Sequence, residues 1–175
     1  MCTFRLVAAC LAAISAGAWG EPVGLGRAPD AALLRAWDID ISPDGTGLPA
    51  GRGGVADGAL IYARKCAACH GTRGEGNPMD QLVGGQGTLA SPQPIKTIGS
   101  FWPFATTVFD YIRRAMPFNQ PQSLTDDEVY AVTAYLLYCN GIVDETAVLD
   151  AKTLPEVAMP NRSGFVPDPR PDAGQ

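Results

Sequence analysis

The chain has 175 residues, with 18 acidic against 13 basic side chains and a net charge of −5. That balance argues against nucleic-acid binding, which rests on basic patches, and the length gives room for one ordinary domain with one core. There is one histidine against five cysteines, so no metal site here can be built from several imidazoles.

Residues 1–20 read as a secretory signal: Arg5, an uncharged apolar run from Leu6 to Ala18, then small residues at the exit. The run falls short of the roughly 20 apolar residues of an untilted membrane span; its alternatives are an N-terminal core helix and a lipoprotein box ending at Cys10. Export places the protein in the periplasm, and no other run is long enough to span a bilayer. Without the signal, 12 basic and 18 acidic residues remain, a net charge of −6. Cys2 and Cys10 leave with it, and the three thiols left, Cys66, Cys69 and Cys139, are an odd number for a disulfide framework.

The N-terminal extension, 21–55, is rich in Gly and Pro, with one short helical stretch at Asp30–Ala36 and an extended piece, WDIDISPDGTGLP, entering a turn at Pro43-Asp44-Gly45. The main domain, 56–141, opens with a helix from Ala56 to about Ala68. A glycine-rich loop follows from Gly71 to Ser100, and then a helix from about Phe104 to Arg114 that Pro117 stops. The clearest helix is Asp126–Tyr138. Thr125 and Glu128 form a capping box and Leu124 and Val129 a hydrophobic staple, three acidic residues suit the first turn, and Asn140-Gly141 ends it. The tail, 142–175, carries five prolines from Thr153 onward and reads as extended.

The stretch KCAACHG, Lys65 to Gly71, contains C-x-x-C-H, the attachment signature of c-type haem. Two thiols one helical turn apart can add across the two vinyl groups of a porphyrin, and the adjacent histidine supplies a neutral imidazole to the iron. A thiol–disulfide motif would favour a strand-to-helix setting, and zinc would need a second ligand pair at fitting spacing. The prediction is one covalent haem c on Cys66 and Cys69, with His70 as axial ligand. Histidine is excluded as sixth ligand by count, and methionine is the thioether that cytochromes c use. Met79 lies only nine residues past His70 and Met159 in the Pro-rich tail. Met116 ends a helix before Pro117 and precedes the last helix, so it is the expected ligand, the alternative being core filler.

GALIYARKCAACHG, then AMP, then LTDDEVYAVTAYLLY resembles a class I cytochrome c. The resemblance implies an all-α fold in which Gly58 on the first helix admits an aromatic residue of the last, Tyr135, with Tyr62 nearby. It also implies a proline carbonyl accepting the second imidazole proton about a dozen residues past the histidine. Leu82 stands there, which leaves that acceptor open. A narrower resemblance covers nearly the whole exported chain. WDIDISPDGTGLP, KTIGSFWPFATTVFDYIRRAMPF, SLTDDEVYAVTAYLLY and MPNRSGFVPDPRP resemble the cytochrome c subunit of Sox-type sulfur dehydrogenases, the SoxD family. That resemblance implies a molybdenum-cofactor subunit as partner, oxidising sulfur-bound or sulfite-type substrates, and a downstream cytochrome or oxidase as acceptor. Some members carry two haem domains, whereas this chain has a single C-x-x-C-H.

Between the two iron ligands, Ile98 and Trp102, with Lys96 and Phe104, are expected at the haem pocket or its rim; ordinary core packing is the alternative for the aromatic residues. Arg113 and Arg114 suit a helix C-terminus, or else contact a propionate or a partner. Cys139 reads as a small buried hydrophobe, the alternative being an intermolecular disulfide. The two flanks either wrap the haem domain, clamp a partner or remain free, and the family resemblance favours the partner. The function expected is electron transfer without bond chemistry by the chain itself, as acceptor subunit of a sulfur dehydrogenase. The rivals are a free-standing shuttle between respiratory complexes and a haem enzyme or sensor with an open iron.

Overall fold

The last helix starts where its sequence places it. In the computed structural model, which describes residues 24–170, Thr125 accepts the backbone N–H of Glu128, and Glu128 accepts that of Thr125 at 2.9 Å. The signal expected at 1–20 lies outside the described residues. The chain divides into two units, Met1–Asp38 and Ile39–Gln175. The described part of the first holds α1, Ala31–Trp37, whose N-cap Asp30 accepts from Leu33 N–H at 2.8 Å.

The second unit contains everything else: β1 (Arg52–Gly54), α2 (Val55–Lys65), α3 (Ala67–His70), α4 (Ala105–Ala115), α5 (Asp126–Cys139) and β2 (Val148–Asp150). Helices α2 and α4 both pack on α5, which is apolar nearly all round; Val129, Tyr130, Val132, Ala134 and Leu137 are all buried. A helix of that kind belongs at the centre of a core rather than on its surface. Gly58 allows the α2–α5 crossing. A β-carbon on it would lie 1.9 Å from the Ala131 carbonyl oxygen and 2.8 Å from Tyr135 Cβ, so no side chain fits. Tyr62 and Tyr135 then meet with ring centroids 5.2 Å apart, inside the range where aromatic pairs attract.

The fold class is the expected helical one with a small addition. Arg52–Gly54 and Val148–Asp150 pair antiparallel, Gly53 opposite Leu149, as a two-stranded ribbon that joins the two flanks. Three-residue strands with glycine at 53 and 54 carry no alternation that sequence could show. Gly53 meets the backbone of Ala131, 2.2 Å from where its β-carbon would be, which seats the ribbon on α5.

Both flanks within this unit wrap the domain. Tyr130 Oη donates to Pro49 O at 2.9 Å, and Arg52 N–H donates to Asp127 at 2.8 Å. In the tail, Leu154 and Met159 are buried, Asn161 Nδ2 donates to Phe101 O at 2.7 Å, Phe165 meets Phe101 edge-on, and the Arg162 guanidinium lies 4.3 Å from the Phe104 ring centre. No helix among the described residues is long and apolar enough to cross a membrane.

Candidate haem site

The site begins where α2 ends. Cys66 breaks the helix at φ −123°, ψ −37°, and α3 restarts for one turn. Both Cys69 N–H (3.1 Å) and His70 N–H (3.0 Å) donate to the Cys66 carbonyl, so the two thiol residues and the histidine share a single turn. Gly71, at φ +83°, takes the chain out of that turn, and Tyr62 Oη donates to its carbonyl at 2.9 Å. Burial in this setting raises the Tyr62 hydroxyl pKa.

Cys66, Cys69 and Cys139 are all free thiols. Burial pushes Cys66 up to about 11, with its neighbour Cys69 adding to the effect and Lys65 opposing it. Cys66 is therefore a neutral thiol at physiological pH. Cys69 is exposed.

The structure supplies the acceptor that sequence left open. His70 Nδ1 donates to the backbone carbonyl of Asp80 at 2.8 Å. A carbonyl oxygen only accepts, so Nδ1 carries the proton and Nε2 keeps its lone pair. The loop that delivers Asp80 is itself tied to α3: Gly76 N–H donates to His70 O at 2.8 Å and Met79 N–H to Cys69 O at 2.9 Å. No residue-type signal could have found this contact, because the accepting atom belongs to the backbone. Glu75 closes the same loop by accepting from Arg73 N–H at 2.6 Å and from Thr72 N–H and Oγ1 at 3.2 Å.

Met116 caps α4 in an extended conformation, donating its N–H to Ile112 O at 3.0 Å, and is partly buried against the common core. Cys66, Leu82 and Trp102 pack against that same core, and Ile98 is buried within it. Trp102 meets Tyr111 edge-on at 5.8 Å. Of the other methionines, Met79 is half exposed and Met159 is buried among core side chains. Lys96 lies over the Phe101 ring at 5.1 Å. Arg113 and Arg114 both have protein partners: Arg113 Nε donates to Asp126 at 3.0 Å, and Arg114 is paired with Asp110 through two nitrogens.

Asn140, read from sequence as a helix stop, also joins α5 to the loop above the site. Its Oδ1 accepts from Gly84 N–H at 2.9 Å, and its Nδ2 donates to Leu82 O at 3.2 Å and Leu136 O at 2.8 Å. Cys139 borders a cleft of about 520 Å³ lined also by Arg73, Val83, Tyr135, Tyr138 and Gly141. Burial first, and then the neighbouring Cys139, raise the Tyr135 hydroxyl pKa.

The donor set fits a c-type haem: two unpaired thiols and an imidazole with a free Nε2 on one turn, and a thioether on the same core. Among the described residues, no cluster of three or more His, Cys, Asp or Glu side chains could hold a metal ion otherwise.

Comparison with known proteins agrees. The family model described as cytochrome c oxidase, cbb3-type, subunit III matches residues 53–136. Thiosulfate dehydrogenase of Psychrobacter arcticus is 28% identical over 102 residues, covering 56% of this chain and 31% of that protein. Thiosulfate dehydrogenase of Stutzerimonas stutzeri is 34% identical over 94 residues, covering 51% and 29%. The chain thus spans about a third of the length of these curated relatives. A crystal structure of the sulfane dehydrogenase SoxCD from Paracoccus pantotrophus superposes with a TM-score of 0.79 at 45% identity, covering 87% of this chain and 76% of the matched one. With its single C-x-x-C-H in a helical cytochrome domain, the chain belongs to the class I cytochromes c, among the cytochrome subunits of Sox-type sulfur dehydrogenases, the SoxD family.

Proposed function

We propose that the protein is a periplasmic mono-haem c electron-transfer subunit, exported by residues 1–20, that accepts electrons from a molybdenum-cofactor subunit oxidising a sulfur substrate. The observation that carries the reading is the pairing of His70 Nδ1 with the Asp80 carbonyl beside two free thiols. It fixes the tautomer that a histidine ligand to iron must have. Cys66 and Cys69 would hold the porphyrin covalently, and His70 and Met116 would be the axial ligands. Ile98 and Trp102 would wall the pocket and exclude water from it. A bound haem would supply a one-electron couple, and a thioether ligand would raise its reduction potential. With His70 and Met116 both holding the iron, no site would be left there for substrate. Bond chemistry then belongs to the partner, and the electrons leave to a downstream cytochrome or oxidase. The 45% identity to a sulfane dehydrogenase chain supports the choice of partner.

The test is co-expression with a candidate molybdenum subunit. The expected result is a complex with one haem and one molybdenum centre whose haem band reduces when a sulfane or thiosulfate substrate is added. A cytochrome that stays monomeric at all concentrations and remains oxidised beside the working molybdenum subunit would make it a free shuttle. Carbon monoxide binding at once to the reduced wild-type protein at neutral pH would make it an open-iron protein instead.

A further inference from the structure

Three side chains of α4 are bonded to one short piece of backbone. Thr106 Oγ1 donates to Pro43 O at 3.0 Å, Ile41 N–H donates to Asp110 Oδ1 at 3.1 Å, and Arg113 Nη1 donates to Ile39 O at 3.2 Å. Positions 106, 110 and 113 are spaced i, i+4, i+7 and form one stripe of the helix. Their partners, 43, 41 and 39, alternate along an extended segment that runs antiparallel to it. Thr106 is wholly buried, and Asp110 and Ile41 are nearly so. Asp110 is the centre of the arrangement: besides Ile41 it receives Arg114, one turn on.

Three residues past Arg113 comes Met116, the C-cap of the same helix. A helix end is where a structure frays most easily, because its last carbonyls lack partners within the helix. Here Arg113 is held twice, by Ile39 O and by Asp126 at the start of α5. The other end of α4 is held by the tail, with Arg162 stacked over its N-cap Phe104.

We propose that Ile39–Pro43 is a brace that holds the thioether of Met116 at its place, and that Asp110 is the brace's central positioning residue. The inference rests on Met116 being an axial ligand and is independent of the identity of the electron donor. Side chains that anchor an iron ligand only through a helix end leave a measurable trace. Loosening them raises the population of the ligand-off state, without removing any atom from the site.

The experiment uses the purified holo-cytochrome alone. Asp110→Leu removes both the acceptor for Ile41 and the partner of Arg114; Thr106→Val removes only the bond to Pro43. Both should take up carbon monoxide faster in the reduced state, Asp110→Leu by roughly tenfold, the factor expected for loss of a buried charged hydrogen bond. Both should lose part of the thioether-to-iron absorption in the oxidised state. Tyr130→Phe, which removes a different bond between this flank and the core, to Pro49 O, and none of the brace's own, should show neither effect. The proposal is overturned if Asp110→Leu, or Thr106→Val alone should the first not fold, keeps the wild-type uptake rate and absorption. It is overturned equally if Tyr130→Phe changes them as much, since the effect would then be general loosening. Met116→Ala separates the premises: wild-type spectra in that variant remove Met116, and the brace with it, while the choice of molybdenum partner stands or falls on co-expression.

Discussion

His70 donates its Nδ1 proton to the carbonyl of Asp80, ten residues on, at 2.8 Å. This bond sets the tautomer, and with it the nitrogen left to bind metal. Because the chain has one histidine, ¹⁵N-histidine labelling yields a single residue's signals. In the reduced holo-protein the Nδ1 resonance should be that of a protonated nitrogen, coupled to one slowly exchanging proton. A shift typical of an unprotonated Nδ1 would show that the Asp80 contact does not persist.

Gly58 should not tolerate even alanine. Its added β-carbon would meet the Ala131 carbonyl, which belongs to the backbone of the central helix and cannot rotate aside. Alanine has the better helix propensity by about 1 kcal/mol, yet the overpacking penalty should win. Gly58→Ala should cost about 3 kcal/mol, measured as a lowered midpoint of guanidinium unfolding with an unchanged slope.

The Glu75 carboxyl lies below its ordinary value near 4.5, owing first to its own backbone N–H and that of Arg73, with Thr72 adding to the effect. A group whose folded value is depressed stabilises the fold above its unfolded value and loses that contribution as pH falls through the folded one. Glu75→Gln should therefore melt lower than wild type at pH 7. The gap should close as pH drops below about 4.5. A gap that does not narrow at all as pH falls from 7 to 3 would mean that the charge is not its source.

Thr125→Ala removes the hydroxyl that accepts Glu128 N–H and breaks the capping box at the start of α5. The expected cost is about 1 kcal/mol, read from chemical unfolding. A much larger loss would show that Thr125 has a packing role beyond the cap.

What the sequence determined by itself is whatever its residue types express over a few positions. The C-x-x-C-H turn, the Thr125–Glu128 box, the stop at Met116-Pro117 and the apolar character of α5 all belong to that class. Each depends on neighbours within one or two helical turns, so their spacing is enough to specify them. The close approach at Gly58 was legible through the resemblance to class I cytochromes c, and the structure shows its cause in the backbone of Ala131.

Tertiary structure alone decided what passes through backbone atoms or across long loops. The Asp80 carbonyl, the Gly53–Leu149 ribbon and the bonds from Ile39, Ile41 and Pro43 to α4 join groups that carry no residue-type signature. From sequence the flanks could wrap the domain, clamp a partner or remain free, with the family resemblance favouring the partner. In the structure the segments 39–54 and 148–165 lie on the domain, because an extended segment must satisfy its own N–H and C=O groups and α4, α5 and the paired strand offer the partners.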